Sequence, residues 1–171
     1  EVMRDMETTR KIPIIVVTGK VLSESEMERL NQGVTTVLGK GLFSLEETIS
    51  HISAALEHKR RISSEAKRLV RQAMVFLQNN FSEPISRRDI AKHIGISEDH
   101  LTFCFRQELG ITPIQYLQRY RINQSKRLLT ETDQTITDIA FNVGFSDSGY
   151  FSRIFRREVG MPPEVYRQTS P

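Results

Sequence analysis

Between residues 65 and 80 the apolar positions Leu69, Ala73, Phe76 and Leu77 recur at intervals of three and four, which predicts a helix with one buried stripe. Further along, the same period appears in short paired segments. Ile90, Ala91 and Ile94 line one segment and Leu101, Cys104 and Phe105 the next, and Ile139, Ala140 and Val143, then Phe151, Ile154 and Phe155, repeat the arrangement. Each pair opens on a hydroxyl three residues before an aspartate, Ser86 to Asp89 and Thr135 to Asp138, the spacing of a capping box. Gly95 and Gly144 end the first segments, where a left-handed backbone lets the chain turn sharply. A small turn containing Gly between two helices predicts a helix-turn-helix, here written twice.

The N-terminal part follows another pattern. "PIIVVT" at 13 to 18 is an unbroken β-branched run, as expected of a strand buried on both faces, and "VTTVL" at 34 to 38 predicts a second strand. Ser23 can cap a helix over 24 to 32 that Gly33 ends, and Ser44 with Glu47 forms a capping box for a helix starting at Leu45. From Leu45 the helical pattern continues toward Asn80, with a break at Ser63 and Ser64. Two parallel strands cannot close a sheet core, so residues 1–58 are expected to be part of a doubly wound domain whose other strands precede Glu1. The opening "EVMRDMETTRK" reads as the middle of a helix, and a fragment of a longer chain is expected.

The duplication is measurable. A shift of 49 residues places Asp89, Ile90, Ala91, Gly95 and Ser97 on Asp138, Ile139, Ala140, Gly144 and Ser146. After the turn the shift becomes 50, and Phe105, Arg106, Glu108, Gly110, Pro113 and Tyr116 fall on Phe155, Arg156, Glu158, Gly160, Pro163 and Tyr166. Eleven identities under a single-residue insertion mark a duplicated supersecondary unit. With the apolar positions turned inward, the second helix of the later copy leaves Ser148, Gly149, Ser152, Arg153 and Arg157 outside. The earlier copy leaves Glu98, Asp99, Thr102, Phe103 and Arg106. A small polar face ending in arginines can enter a major groove, where bulkier side chains would hold a helix away.

Charge supports that direction. The net charge of +3 conceals an uneven split: residues 1–58 hold six Lys plus Arg against nine Asp plus Glu, or −3, and residues 59–171 hold eighteen against twelve, or +6. The basic "KRR" at 59 to 61 falls at the joint between the two parts, where a solvated linker suits it. A single cysteine, Cys104, rules out an intramolecular disulfide and fits a reducing cytoplasm. No apolar run approaches the length of a bilayer span and no leader pattern is present, so a cytoplasmic, nucleoid-associated location without membrane contact is expected.

Both duplicated units resemble the AraC/XylS DNA-binding domain over residues 65 to 168, most closely in "DIAFNVGFSDSGYFSRIFRREVGMPPEVYR". The resemblance implies a mainly α fold over residues 65–171: helix-turn-helix units at about 86–109 and 135–159, joined by one long helix over about 113–130. It implies double-stranded DNA as the partner, with RNA polymerase beside it, and a domain that reads two successive major grooves. The groove-facing positions of that family fall on Asp99, Thr102 and Phe103 in the first unit and on Ser148, Gly149, Ser152 and Arg153 in the second. Arg153 can pair bidentately with guanine or serve as a phosphate contact or a surface ion pair. Asp99 can accept from cytosine or only favour its helix N-terminus, and Phe103 can press on a thymine methyl or signal weaker readout by the first unit. Arg87, Arg88, Arg106, Arg156 and Arg157 are the expected phosphate contacts, whereas Lys126 and Arg127 suit a solvated face equally well.

Residues 1–58 resemble the C-terminal half of a response-regulator receiver domain through Thr18, at the end of the first strand, and Lys40, just after the second. There the family keeps a switch hydroxyl and a phosphate-contacting lysine; Gly41 stands where the family usually has Pro, and a phosphoacceptor aspartate would precede Glu1. The resemblance implies a two-component response regulator and a homodimer contact through this part; an arbitrary α/β piece with a solvated Lys40 is the alternative. A second function class, a signalling module whose principal contact is protein, follows from the same residues.

No phosphate-cradling loop, matched nucleophile and base, or paired carboxylates appears, so an enzyme is not expected and no cofactor is implied. His93, His100 and Cys104 have spacing that could suit a metal, but Cys104 is required on the inward face, and no metal is expected. Met74 and the phenylalanines at helical spacing are read as core.

Overall fold

A computed structural model describes residues 7, 9, 12–31, 33–56 and 64–169. Of the helix expected at the start, Glu7 and Thr9 lie in turns, and Ile12 N–H closes back onto Thr9 carbonyl at 3.0 Å. The rest of that stretch, the basic joint at 59–61, the break at Ser63 and the helix end at Gln32 lie outside the described residues.

Strands β1 (Ile15–Thr18) and β2 (Thr36–Gly39) pair in parallel, Ile15 opposite Thr36 through Thr18 opposite Gly39, and helix α1 (Glu24–Asn31) joins them. Ser23 and Glu26 cap α1 reciprocally. The second strand begins two residues later than the run "VTTVL" suggests, because Thr35 spends its hydroxyl on Ile14 N–H at 3.1 Å before the ladder starts. Val16 and Val37 pack with Met27 and Val75. Val17 stands 55% exposed, so β1 is not covered on both faces as its β-branched run suggests.

Helix α2 (Leu45–Leu56) opens on the expected Ser44 and Glu47 box, and α3 (Ser64–Asn79) takes up the helical pattern again on the far side of residues 57–63, which lie outside the described residues. Its Leu45, Ile49, Ile52 and Leu56 are exposed along one stripe. Helix α3 is the hub: Val70, Ala73, Met74 and Leu77 face the first helix-turn-helix, and Val75 faces α1 and the sheet. Lys67 Nζ and Arg71 Nη2 donate to the carbonyls of Thr35 and Val34 at 2.9 and 2.8 Å, fastening the N-terminal part to α3.

Then follow α4 (Arg87–Ile94), α5 (Glu98–Leu109), the long α6 (Pro113–Glu131), α7 (Ile136–Asn142), α8 (Ser148–Val159) and α9 (Pro163–Thr169). Pro113 at the first helical position and the Thr112 and Gln115 capping box start α6. That helix belongs to two cores in succession. Tyr116, Leu117 and Tyr120 pack with Ile90, Leu101 and Phe105, whereas Ile122 and Leu129 pack with Ile139, Phe151 and Phe155. Full burial of each such large side chain contributes about 1.5–3 kcal/mol relative to exposure, so α6 supplies a large share of the packing in both units.

The buried charge on α6 sets the relation between the two units. Arg121, 9% exposed, donates through Nε to the Phe81 carbonyl and through Nη2 to the Glu83 carbonyl, both at 2.7 Å, and its guanidinium lies 5.7 Å from the Phe145 ring. Phe81 contacts both cores. Beside them Gly144 takes φ +91°, and a Cβ there would meet the carbonyls of Phe81 and Ser82 at 2.7 and 2.8 Å.

Candidate nucleic-acid interface

The second helices of the two units, α5 and α8, are set in place by similar local devices. Ser86 accepts from Asp89 N–H and Thr135 from Asp138 N–H, as their spacing predicts. Gly95 at φ +78° ends α4, and the N–H groups of Gly95 and Ile96 both donate to Ala91 carbonyl; Gly144 and Phe145 N–H close the later turn on Phe141 and Ala140. Ser97 then caps α5, but in the later copy the cap is Asp147, which accepts from Tyr150 N–H. Asp147 is the residue by which the repeat shift grows from 49 to 50.

On α5, Leu101, Cys104 and Phe105 are fully buried, and Asp99, Phe103 and Arg106 are exposed. Thr102 is half-buried, with its hydroxyl donating to the Glu98 carbonyl at 2.9 Å, which leaves its lone pairs for an outside donor. Phe103 is 59% exposed, a large apolar side chain held out from an otherwise polar face. Arg87, at the start of α4, is engaged: Nε meets Glu98 at 2.8 Å and Nη1 lies 3.8 Å from Asp99. Arg88 is exposed beside it.

On α8, Phe151, Ile154 and Phe155 form the inner stripe, Ser148 and Ser152 are half-buried, and Gly149, Arg153, Arg156 and Arg157 are exposed. Arg153 lies with its guanidinium 5.9 Å from the ring centre of Tyr150. Arg157 pairs with its neighbour Glu158 at 2.7 Å and lies beside the cleft between α6 and the loop from Gly41 to Ser44. Of the expected phosphate contacts, Arg87 and Arg157 thus carry intramolecular partners.

Thr18 and Lys40 stand side by side at the carboxyl ends of the parallel strands, with Lys40 N–H donating to Thr18 carbonyl at 2.7 Å. This corner is tied to the two helix-turn-helix units. Arg119 of α6 grips the Glu47 carboxylate through two nitrogens at 2.9 Å, donates to Leu42 carbonyl at 3.2 Å and pairs with Glu158 of α8 at 3.2 Å. The Arg119 guanidinium holds the Glu47 carboxyl below the usual glutamate range. Asn123 Nδ2 donates to Lys40 carbonyl at 3.3 Å.

His93, His100 and Cys104 do not make a metal-binding group. Cys104 is buried, which pushes its thiol up, His93 stacks on Phe76 at 4.2 Å, and His100 faces solvent. Among the described residues no group of three His, Cys, Asp or Glu side chains is placed to hold a metal ion, and no helix is long and apolar enough to cross a membrane.

Arg119, Arg121, Gln118 and Tyr150 were not singled out by the sequence pattern. Arg121 carried one signal: it sits four residues after Leu117 and four before Ser125, all three buried, so a charge stands in the inward stripe of α6.

Two helix-turn-helix units sharing one core helix, with α8 turning small polar and cationic side chains outward and α5 a mixed face that includes Phe103, define a duplicated helix-turn-helix class of DNA-binding domain. Residues 90–169 match the family described as "Helix-turn-helix domain". The chain is 30% identical over 173 aligned residues to the melibiose operon regulatory protein of Escherichia coli (strain K12); the alignment takes in 99% of this chain and 57% of that protein. The chain thus spans little more than half the length of that relative. Among solved structures, the C-terminal domain of AraT, a response regulator from Geobacillus stearothermophilus, is 33% identical with a TM-score of 0.58, covering 60% of this chain and 85% of that one. The DNA-binding domain of AdpA, a global transcriptional factor solved with a target DNA, is 25% identical with a TM-score of 0.56, covering 58% and 89%. The C-terminal part of this chain is an AraC-type helix-turn-helix DNA-binding domain.

Proposed function

We propose that the chain is a sequence-specific transcription regulator that inserts α5 and α8 into successive major grooves of double-stranded DNA. One observation carries this reading: each helix locks an apolar stripe into a core built on α6 and leaves its opposite face exposed, small, polar and cationic on α8 and mixed on α5, where Phe103 stands out beside Asp99, Thr102 and Arg106. The rod has a suitable length. Nineteen residues of α6 span roughly 28 Å, against roughly 34 Å for one turn of DNA. Base contacts are assigned to Asp99, Thr102 and Phe103, and to Ser148, Gly149, Ser152 and Arg153. Phosphate contacts are assigned to Arg87, Arg88, Arg106, Arg156 and Arg157. Arg87 must leave Glu98 and Asp99 to reach a phosphate, and exposed pairs of that kind hold only about 0–1 kcal/mol. The target DNA bound to AdpA and the operon control named for the melibiose relative support the same reading.

Footprinting on genomic fragments at several salt concentrations tests it, with a protected asymmetric site of about two helical turns expected. At that site Arg153→Ala is expected to cost about 1–3 kcal/mol and relax preference at one base pair. A uniform loss on every sequence would make Arg153 a phosphate anchor instead.

The N-terminal part is read as receiver-like, which would make the protein a two-component response regulator. The parallel strands with Thr18 and Lys40 adjacent at their carboxyl ends favour this, as does the response regulator AraT among the similar structures. Gly41 departs from the pattern in kind, since φ +79° is closed to the proline usual there. The exposed apolar stripe of α2 supports a homodimer contact through this part. In the full-length protein, acetyl phosphate should raise operator affinity, and Lys40→Ala should abolish that response; a response that survives Lys40→Ala refutes the assignment.

A further inference from the structure

Arg153 is a long side chain on an exposed helix face, and a freely rotating guanidinium would lose several torsions on meeting a base edge. In this fold it is not free. Its guanidinium rests 5.9 Å from the Tyr150 ring centre, the distance at which a cation is attracted to the face of an aromatic ring. The ring is itself held at three points. Its backbone N–H caps on Asp147, its hydroxyl accepts from Gln118 Nε2 of α6 at 2.8 Å, and its edge packs against Phe145 at 6.0 Å. Tyr150 is 39% exposed and outside the buried stripe of α8, so its one core contact, with Phe145, leaves most of its placement to the Gln118 bond and the Asp147 cap. The first unit lacks this arrangement: His100 stands at the position equivalent to Tyr150 and Phe103 at that of Arg153, so no guanidinium is there to be aimed.

We infer that Tyr150 and Gln118 form a positioning pair that holds the Arg153 guanidinium ready for its base, so that specificity in the second unit is set partly from the connecting helix. The inference rests on the base-reading role of Arg153 proposed above. Neither partner touches the base in this arrangement. Gln118 fixes the ring against the rod, the ring fixes the cation, and the conformational loss is taken before DNA arrives. A side chain without this support would bind the same base with lower affinity and accept other bases more readily.

The test uses the full chain, a duplex carrying the footprinted site and its single base-pair variants. Tyr150→Leu, Tyr150→Phe and Gln118→Met are each made with Arg153 present and with Arg153→Ala. Tyr150→Leu is expected to weaken the specific site about two- to fivefold, the range that a half-exposed cation–π contact supplies, and to relax in part the preference at the base pair that Arg153→Ala relaxes. Tyr150→Phe keeps the ring and loses only the Gln118 bond, so it and Gln118→Met should show the same smaller loss. In the Arg153→Ala background all three should be silent, and binding to unrelated DNA, with its salt dependence, should not change. The Arg153 Nε–H proton resonance, shifted upfield by the ring current, should move toward its free position in Tyr150→Leu; a merely structural Tyr150 would not require this.

Equal losses with and without Arg153 overturn the positioning pair, because Tyr150 would then act by packing or by a contact of its own. An unmoved Arg153 resonance also overturns it. If Arg153→Ala relaxes no base preference, the base-reading assignment falls instead, an outcome distinct from additive Tyr150 effects on a base that Arg153 does read.

Discussion

Replacing Arg121 by methionine keeps an unbranched stem of similar reach and removes only the guanidinium that joins the two units. Two charge-assisted hydrogen bonds are lost, to the Phe81 and Glu83 carbonyls at 2.7 Å each, along with the contact to the Phe145 ring. At about 1.5–3 kcal/mol per bond to a charged group, the gross loss is about 3–6 kcal/mol. Two terms reduce it. Water can reach the carbonyls of a loop whose Ser82 and Glu83 are exposed, and the variant no longer bears the desolvation that lowers the Arg121 pKa. A net loss of about 2–3 kcal/mol remains, a large share of the 5–15 kcal/mol typical of a domain. Urea unfolding followed by far-ultraviolet circular dichroism should therefore show the midpoint lowered by about 1 M, given a slope of about 1–3 kcal/mol per molar. The footprint should lose definition over the half read by α8 before the half read by α5. A midpoint lowered by less than about 0.3 M would mean that the two bonds contribute nothing net, and the reading of Arg121 as the fastener would be refuted.

Gly144→Ala and Gly95→Ala share a left-handed backbone cost of about 1–2 kcal/mol, but only the first drives a Cβ to within 3 Å of two backbone carbonyls. Calorimetry should place the melting temperature of Gly144→Ala well below that of Gly95→Ala; equal values would show that the 81–82 loop moves aside freely. The carboxyl of Glu47 is held below its ordinary value of 4.5 by Arg119, so its contribution is complete above that pH and is lost as pH falls through the lower folded value. Acid titration of stability should accordingly show a steeper decline below about pH 4.5 in the parent than in Glu47→Gln, and identical declines would argue that the pair is too solvated to count.

What was legible in the sequence is what neighbouring residues decide. The capping boxes at Ser44 and Ser86, the hydroxyl cap at Thr135, the left-handed glycines and the inner stripes of α5 and α8 depend on residues a few positions apart; each is found where its spacing places it, although the Asp138 carboxylate bonds the Thr135 hydroxyl and does not complete a box. The exposed positions of both recognition helices follow from those stripes. The fasteners did not announce themselves, because their partners are distant along the chain: Arg121 reaches back 40 residues to Phe81, Arg119 reaches 72 to Glu47, and Gln118 reaches forward 32 to Tyr150. The extra residue between the repeats was visible only as a change of shift, and its use as the α8 cap required the backbone geometry. Likewise, β-branched residues in a run suggested a strand covered twice, while the exposure of Val17 is decided by neighbours that the run does not specify.

The sharing of α6 between two cores has a mechanical consequence for the DNA site proposed above. In a dimeric repressor a flexible interface can take up a spacer that is too long or too short. Here both reading heads are clamped to one bar, by apolar packing along its length and by Arg121 near its middle, so the ruler does not stretch. Any misfit of pitch falls on the nucleic acid, whose bending through tens of degrees costs about 1–6 kcal/mol depending on sequence. Base pairs between the two grooves, untouched by any side chain, would then be chosen for how readily they yield.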